Sequence, residues 1–159
     1  GPKNIVISGS DDIVEKVMKS LDKTGRSLEI SHTFHSPLMR EMEDDFKSFI
    51  TDLDVAIEMP LTIPLASTVT GEIVKAGQII SLEHWVKQLA SPILFEDAFS
   101  HAMSNKNLTN QNVIVEVGPK PILSHMAREW WRPIKESDDE RPLWASCFDS
   151  DGTSKLTAP

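Results

Sequence analysis

An α/β fold is predicted by three places where a run of strand type passes through a short turn into a helical pattern. Ile5-Val6-Ile7 ends at Ser8-Gly9-Ser10, after which Val14, Val17, Met18 and Leu21 recur at helical spacing. Leu28, Ile30, His32 and Phe34 alternate with Glu29, Ser31 and Thr33 before Ser36-Pro37 opens a second helical stretch. Val113-Ile114-Val115-Glu116-Val117 is the clearest strand, and Gly118-Pro119 turns it into a helix at about Pro121 to Trp131. Strands that alternate with helices in this way belong to layered α/β architecture.

Each element has its own signals. The first helix takes Ser10 or Asp11 as cap and carries Asp11 and Asp12 in its positive first turn. Lys19 and Lys23 suit its negative end, and Gly25 closes it. The second helix has Ser36 as cap and Pro37 in the first turn, where a missing N–H costs nothing. Leu38, Met42, Phe46, Phe49 and Leu53 form its expected buried stripe. Pro60 and Pro64 bracket an extended stretch, Leu65 to Thr70 reads as a strand, and Gly71 begins a turn. Ser81 caps a helix over Leu82 to Ala90, and Pro92 separates it from another at Phe95 to Met103. Asn105 to Asn112 reads as a loop, Leu143 to Phe148 as a late strand, and Thr153 to Pro159 as a frayed tail.

Composition narrows the function classes. The 159 residues are 40% hydrophobic and 25% charged, enough for one domain with a core. The formal charge of -8 argues against a nucleic-acid partner, which needs a basic face. No apolar run approaches the roughly 18 residues of a membrane span. No charged-then-apolar leader opens the residues given, and Cys147 is the only cysteine, so the expectation is a cytoplasmic protein without an internal disulfide.

The densest polar cluster is Ser31-His32-Thr33-Phe34-His35-Ser36, at a joint between strand and helix. A histidine there is a candidate general base: the positive end of the following helix disfavours imidazolium and leaves a neutral ring to accept a proton. On the residues alone, the simpler reading is a helix-capping segment with two incidental histidines. A metal site is not expected. His32-x-x-His35 has no carboxylate or thiol between Ser31 and Arg40, and His84, His101 and His125 lack ligand spacing. The chain has no G-x-S-x-G, so no nucleophile elbow, and no phosphate-cradling glycine loop.

Read with its neighbours, the cluster takes on another meaning. Ser31-His32-Thr33-Phe34-His35-Ser36-Pro37-Leu38-Met39 resembles the His-Ala-Phe-His-Ser-Pro-Leu-Met signature of type I polyketide synthase acyltransferase domains, related to malonyl-CoA:acyl carrier protein transacylases. Gly1 to Gly9, Pro64 to Gly71, His84 to Leu89 with Ser91-Pro92, and Glu116-Val117-Gly118-Pro119 resemble further blocks of that family, in the same order.

The resemblance implies a ping-pong acyl transfer. A serine attacks an acyl-CoA thioester, and the phosphopantetheine thiol of an acyl carrier protein then takes the acyl group. By position, His35 is the general base, and the backbone carbonyl of Gln88 orients its ring. His32, Thr33 and Phe34 correspond to the residues that mark acyl choice, and this pattern resembles the malonyl form, with Thr33 in place of the usual alanine. A phenylalanine at position 34 leaves less room for an α-methyl than the serine of the methylmalonyl form. No cofactor is bound on this reading. Coenzyme A thioester is substrate, malonyl-CoA and the acyl carrier protein are partners, and phosphopantetheine is the acceptor.

The family's nucleophilic serine, its carboxylate-gripping arginine and its oxyanion hole lie upstream of the blocks present here. The resemblance therefore implies a partial ferredoxin-like subdomain over residues 1–35, the C-terminal strands and helices of the larger α/β-hydrolase-like subdomain over 36–148, and a tail or linker over 149–159. It makes the N-terminal half of the domain a required partner and predicts no activity for this chain alone. Two other functions compete: a non-catalytic docking or scaffold module that binds a carrier protein or neighbouring synthase domain, and a homologue that releases acyl groups to water.

Overall fold

A computed structural model describes residues 4–21, 25–28, 30–53, 55–105, 113–131 and 142–147. The chain divides into two compact units, residues 6–94 and residues 1–5 with 95–159. Residue 35, where the sequence places a subdomain boundary, lies inside the first unit.

In the first unit, helix α1 runs Asp11–Ser20. Ser10 has the extended backbone of a cap, but its hydroxyl turns to Asp12 Oδ1 at 2.6 Å instead of to the helix. The second helical stretch opens as a 3-10 helix, Pro37–Met42, and continues as α2, Glu43–Asp52. Residues Leu65–Ala66 (β1) and Ile73–Val74 (β2) form a short antiparallel hairpin. Its turn carries Gly71 at φ 75°, a conformation glycine adopts without strain. Helix α3, Leu82–Ala90, is capped by Ser81, whose hydroxyl accepts from the His84 N–H. Helix α3 packs against the 3-10 helix and α2, and Met39, Ile50, Ile80 and Val86 are buried in this unit. Full burial of such a side chain stabilises by about 1.5–3 kcal/mol.

Three expectations for residues 5–53 are corrected. Ile5-Val6-Ile7 is not a strand, and Ile5 and Val6 are exposed. Ser27 to Phe34 is not a strand among its described residues either, and Leu28 and Ile30 are exposed; Glu29 lies outside the described residues. The apolar run of the first and the alternation of the second are both present, but a strand exists only against a partner, and no described strand lies beside them. The expected stripe of the second helix is also displaced. Met39 and Ile50 are buried and Phe46 is half-buried, while Leu38, Met42, Phe49 and Leu53 are exposed. A first turn with three residues per turn instead of 3.6 rotates the following positions out of the expected phase.

The second unit holds α4 (Phe95–Ser104), β3 (Val113–Glu116), α5 (Ile122–Trp130) and β4 (Leu143–Ser146). Strands β3 and β4 pair in parallel, Val113 opposite Leu143 through Glu116 opposite Ser146. Ile114, Glu116, Trp144 and Ser146 are part-covered, whereas Val113, Val115 and Leu143 on the alternate face are exposed. Phe99 meets Phe95, Trp130, Trp131 and Trp144 with ring centroids 5.8–5.9 Å apart, and Ala98 and Ala127 are buried. Glu116 caps α5 across the turn: its carboxylate accepts from the N–H groups of Ile122, Leu123 and Ser124 at 3.0, 2.9 and 2.8 Å, and from the Ser124 hydroxyl. Among the described residues, no helix is long and apolar enough to cross a membrane. The expected loop over 105–112, the acidic run Asp138-Asp139-Glu140 and the tail 149–159 fall largely or wholly outside the described residues.

Candidate active site

His35 has φ 61°, making it the one non-glycine with positive φ among the described residues. For an L-residue this left-handed backbone costs roughly 1–2 kcal/mol and persists only where surrounding bonds dictate it. Four bonds do so here. The His35 N–H donates to Leu89 O at 2.8 Å. The Ser36 hydroxyl donates to Thr33 O at 2.7 Å, and Ser36 is 1% exposed. The Ser8 hydroxyl donates to Phe34 O at 2.6 Å. The His35 ring meets the Ser91 carbonyl, with Nδ1 3.3 Å from the oxygen.

The last contact decides the chemistry of the ring. A carbonyl oxygen only accepts, so Nδ1 carries the proton and Nε2 keeps a lone pair. His35 is half-buried. Why the ring finds carbonyls at this place follows from the helix stop at Ser91-Pro92. Helix α3 ends in unsatisfied carbonyls, and Pro92 has no N–H to offer Gln88 four residues back. Leu89 and Ser91 supply the acceptors that hold His35, so the carbonyl at the ring is that of Ser91, three residues beyond the expected Gln88.

The expected selectivity residues flank His35 on the same turn. Phe34 is partly exposed, with its ring 6.4 Å from that of His35 and 5.5 Å from that of His32. His32 is exposed, its Nδ1 2.7 Å from the Ser31 hydroxyl. Thr33 contributes its carbonyl to the Ser36 bond. Ser8, Ser36, Leu89 and Ser91 were not singled out as site residues in the sequence. The signal for Ser91 was the Ser-Pro stop at the end of a helix; for Leu89 and Ser8, whose roles depend on long-range contact, there was none.

A second histidine environment lies at the other end of α3. His84 Nε2 is 3.1 Å from the Ser67 hydroxyl, and Ser67 is 3% exposed. Burial first, and the Lys87 charge second, hold His84 below the usual imidazole range. Nearby, Lys47 and Glu83 pair at 2.9 Å on the surface, which raises the lysine and lowers the carboxylate.

The chain belongs to the acyl transferase domain family, which matches over residues 1–142. Relatives are polyketide synthases. Polyketide synthase GfsA of Streptomyces halstedii is 35% identical over 132 residues, covering 81% of this chain and 2% of that protein. Chalcone synthase cfoA of Aspergillus candidus is 32% identical over 125 residues, covering 76% of this chain and 4% of that protein. The fold is similar to the acyltransferase domain of the second module of the salinomycin polyketide synthase, with TM-score 0.65 and 29% identity, over 90% of this chain and 31% of that one. It also resembles the acyltransferase domain of SpnD solved with a 2-(pent-4-yn-1-yl)malonyl group, with TM-score 0.68, 21% identity, and 93% and 32% coverage. The chain thus spans about a third of the solved domains and a few per cent of the curated synthases.

Proposed function

We propose that this chain carries the general base of a malonyl-transferring acyltransferase domain, and that the nucleophilic serine comes from the part of the domain outside residues 1–159. The observation that carries the reading is the Nδ1 contact to Ser91 O, which leaves His35 Nε2 as an acceptor on a backbone held in the left-handed region.

In the first half-reaction, the serine hydroxyl gives its proton to Nε2 as its oxygen bonds to the thioester carbonyl. The tetrahedral intermediate collapses, the C–S bond breaks, and the proton passes to the departing coenzyme A sulfur. In the second half, the phosphopantetheine thiol of the carrier protein gives its proton to Nε2 and attacks the ester. The serine oxygen leaves and takes that proton back. The carbonyl of Ser91 supports the imidazolium in both halves, as the orienting group of a catalytic triad does. Phe34, beside the base, limits room at the α-carbon and favours an unsubstituted malonyl unit by about 1–3 kcal/mol. On this reading residues 1–35 belong to a partial ferredoxin-like subdomain and 36–148 to the C-terminal part of the larger one; the exposed apolar residues Leu38, Met42, Phe49 and Leu53 support a further layer of the domain over this chain.

The test is covalent labelling. Labelled malonyl-CoA offered to the complete domain should place label on a serine outside this chain, and the chain alone should take none. Stable label on the isolated chain would overturn the reading.

A further inference from the structure

We propose that His84 is a positioning residue for acyl transfer: its neutral ring accepts a hydrogen bond from buried Ser67 and fixes α3, whose far end holds His35. This rests on the assignment of His35 as the base.

The hydroxyl of Ser67 has little freedom. Its oxygen accepts from the N–H of Val69 at 3.1 Å and of Thr70 at 3.4 Å. Its backbone is tied on both sides, N–H to Glu72 O at 2.9 Å and carbonyl to Gly71 N at 2.8 Å, and neighbouring Thr68 O accepts from Leu94 N at 2.8 Å. With both lone-pair sites taken, the hydroxyl proton is what Ser67 can offer, and His84 Nε2 is its acceptor. His84 is therefore neutral, with its own proton on Nδ1. A proton added at Nε2 would point an N–H at an oxygen with no lone pair left, and one of the turn's bonds must break.

Helix α3 connects this bond to the base. His84 stands in its first turn, its N–H held by Ser81, and Leu89 and Ser91 at the other end hold the His35 backbone and ring. Five residues of helix, about 7–8 Å, separate the two anchorages. The charged groups around His84 leave the Ser67 bond as its specific partner. Lys87 lies one turn on and disfavours imidazolium, Glu83 is engaged by Lys47 of α2, and Glu58 accepts from Leu82 N at 2.9 Å. Glu72 belongs to the hairpin turn, and the Trp85 ring meets His84 edge-on at 5.7 Å. Protonation of His84 thus adds an acid-side loss of activity beyond protonation of the base itself.

The experiment uses the complete acyltransferase domain containing this segment. His84→Gln keeps an acceptor at the Nε2 position without titrating; His84→Leu keeps none. Malonyl transfer to the carrier protein is measured across pH, with His35→Ala in parallel and nitrogen NMR of the wild-type imidazoles. H84L should lose about tenfold in kcat with KM for malonyl-CoA within about twofold. H84Q should match wild type within about twofold at pH 8 and exceed it increasingly as pH falls below the usual imidazole range, because burial and Lys87 hold His84 low. NMR should show the Nδ1–H tautomer at His84. Should H84L fail to fold, Ser67→Ala must show the same kcat loss. An acid limb of H84Q that superposes on wild type, a fully active H84L, or an Nε2–H tautomer overturns the inference. If H35A is inactive while H84L is fully active, this inference alone falls; if H35A is fully active, the base assignment falls with it.

Discussion

Replacing Glu116 tests how the second unit is held together. Its carboxylate joins the end of β3 to the start of α5 by accepting three backbone N–H groups and the Ser124 hydroxyl. Glu116→Ala strands three donors at a helix start. One cap is worth about 0.5–2 kcal/mol and a bond to a charged group about 1.5–3 kcal/mol, so with water recovering part the loss should be about 2–4 kcal/mol. Glu116→Gln keeps one oxygen for Ile122 and Leu123 but turns an N–H toward Ser124 N, and should cost about 1–2 kcal/mol. Burial pushes the Glu116 carboxyl up, but the bonds from Ser124, Leu123 and Ile122 outweigh it and hold it below the ordinary glutamate value of 4.5. The folded state therefore binds this proton later than the unfolded chain does. The stabilisation is fully present above 4.5 and is lost as pH falls through the lower folded value, so the deficit of E116Q against wild type should shrink there. Urea unfolding of the complete domain, followed by tryptophan fluorescence, is the assay, because Trp130, Trp131 and Trp144 cluster in the same unit. Alanine and glutamine variants both within about 0.3 kcal/mol of wild type would refute the cap.

Three further outcomes follow from the turn at His35. His35→Gly should be about 1 kcal/mol more stable than His35→Ala in thermal unfolding, because glycine relieves the positive φ; equal stabilities would place the strain elsewhere. Ser36 is 1% exposed, and Ser36→Ala, which leaves Thr33 O without its donor, should cost about 1–3 kcal/mol in the same measurement while slowing transfer. Phe34→Ser should narrow the preference for malonyl-CoA over methylmalonyl-CoA in kcat/KM by about tenfold or more, and an unchanged ratio would remove Phe34 from acyl choice.

How far the sequence could be read depended on whether the deciding interaction was local. Helix α3 was legible to the residue, because Ser81 caps its start and Ser91-Pro92 stops its end within one segment. The strand from Val113 was legible for its β-branched run, and the segment at Leu143 was confirmed over Leu143–Ser146. By contrast, Ile5 to Ile7 and Ser27 to Phe34 carried a strand pattern but have no partner among the described strands, and β2 at Ile73–Val74 was missed because two residues make no pattern. The polar cluster around His35 pointed to the right turn. Its left-handed backbone was invisible, since the bonds that enforce it come from residues 26 to 56 positions away as well as from Ser36.

In the complete domain, the single-turnover rate of covalent labelling by malonyl-CoA should fall by about 10²–10⁴ on His35→Ala, the range lost with a general base, while malonyl-CoA still binds. A labelling rate equal to wild type would show that the serine is deprotonated by some other group.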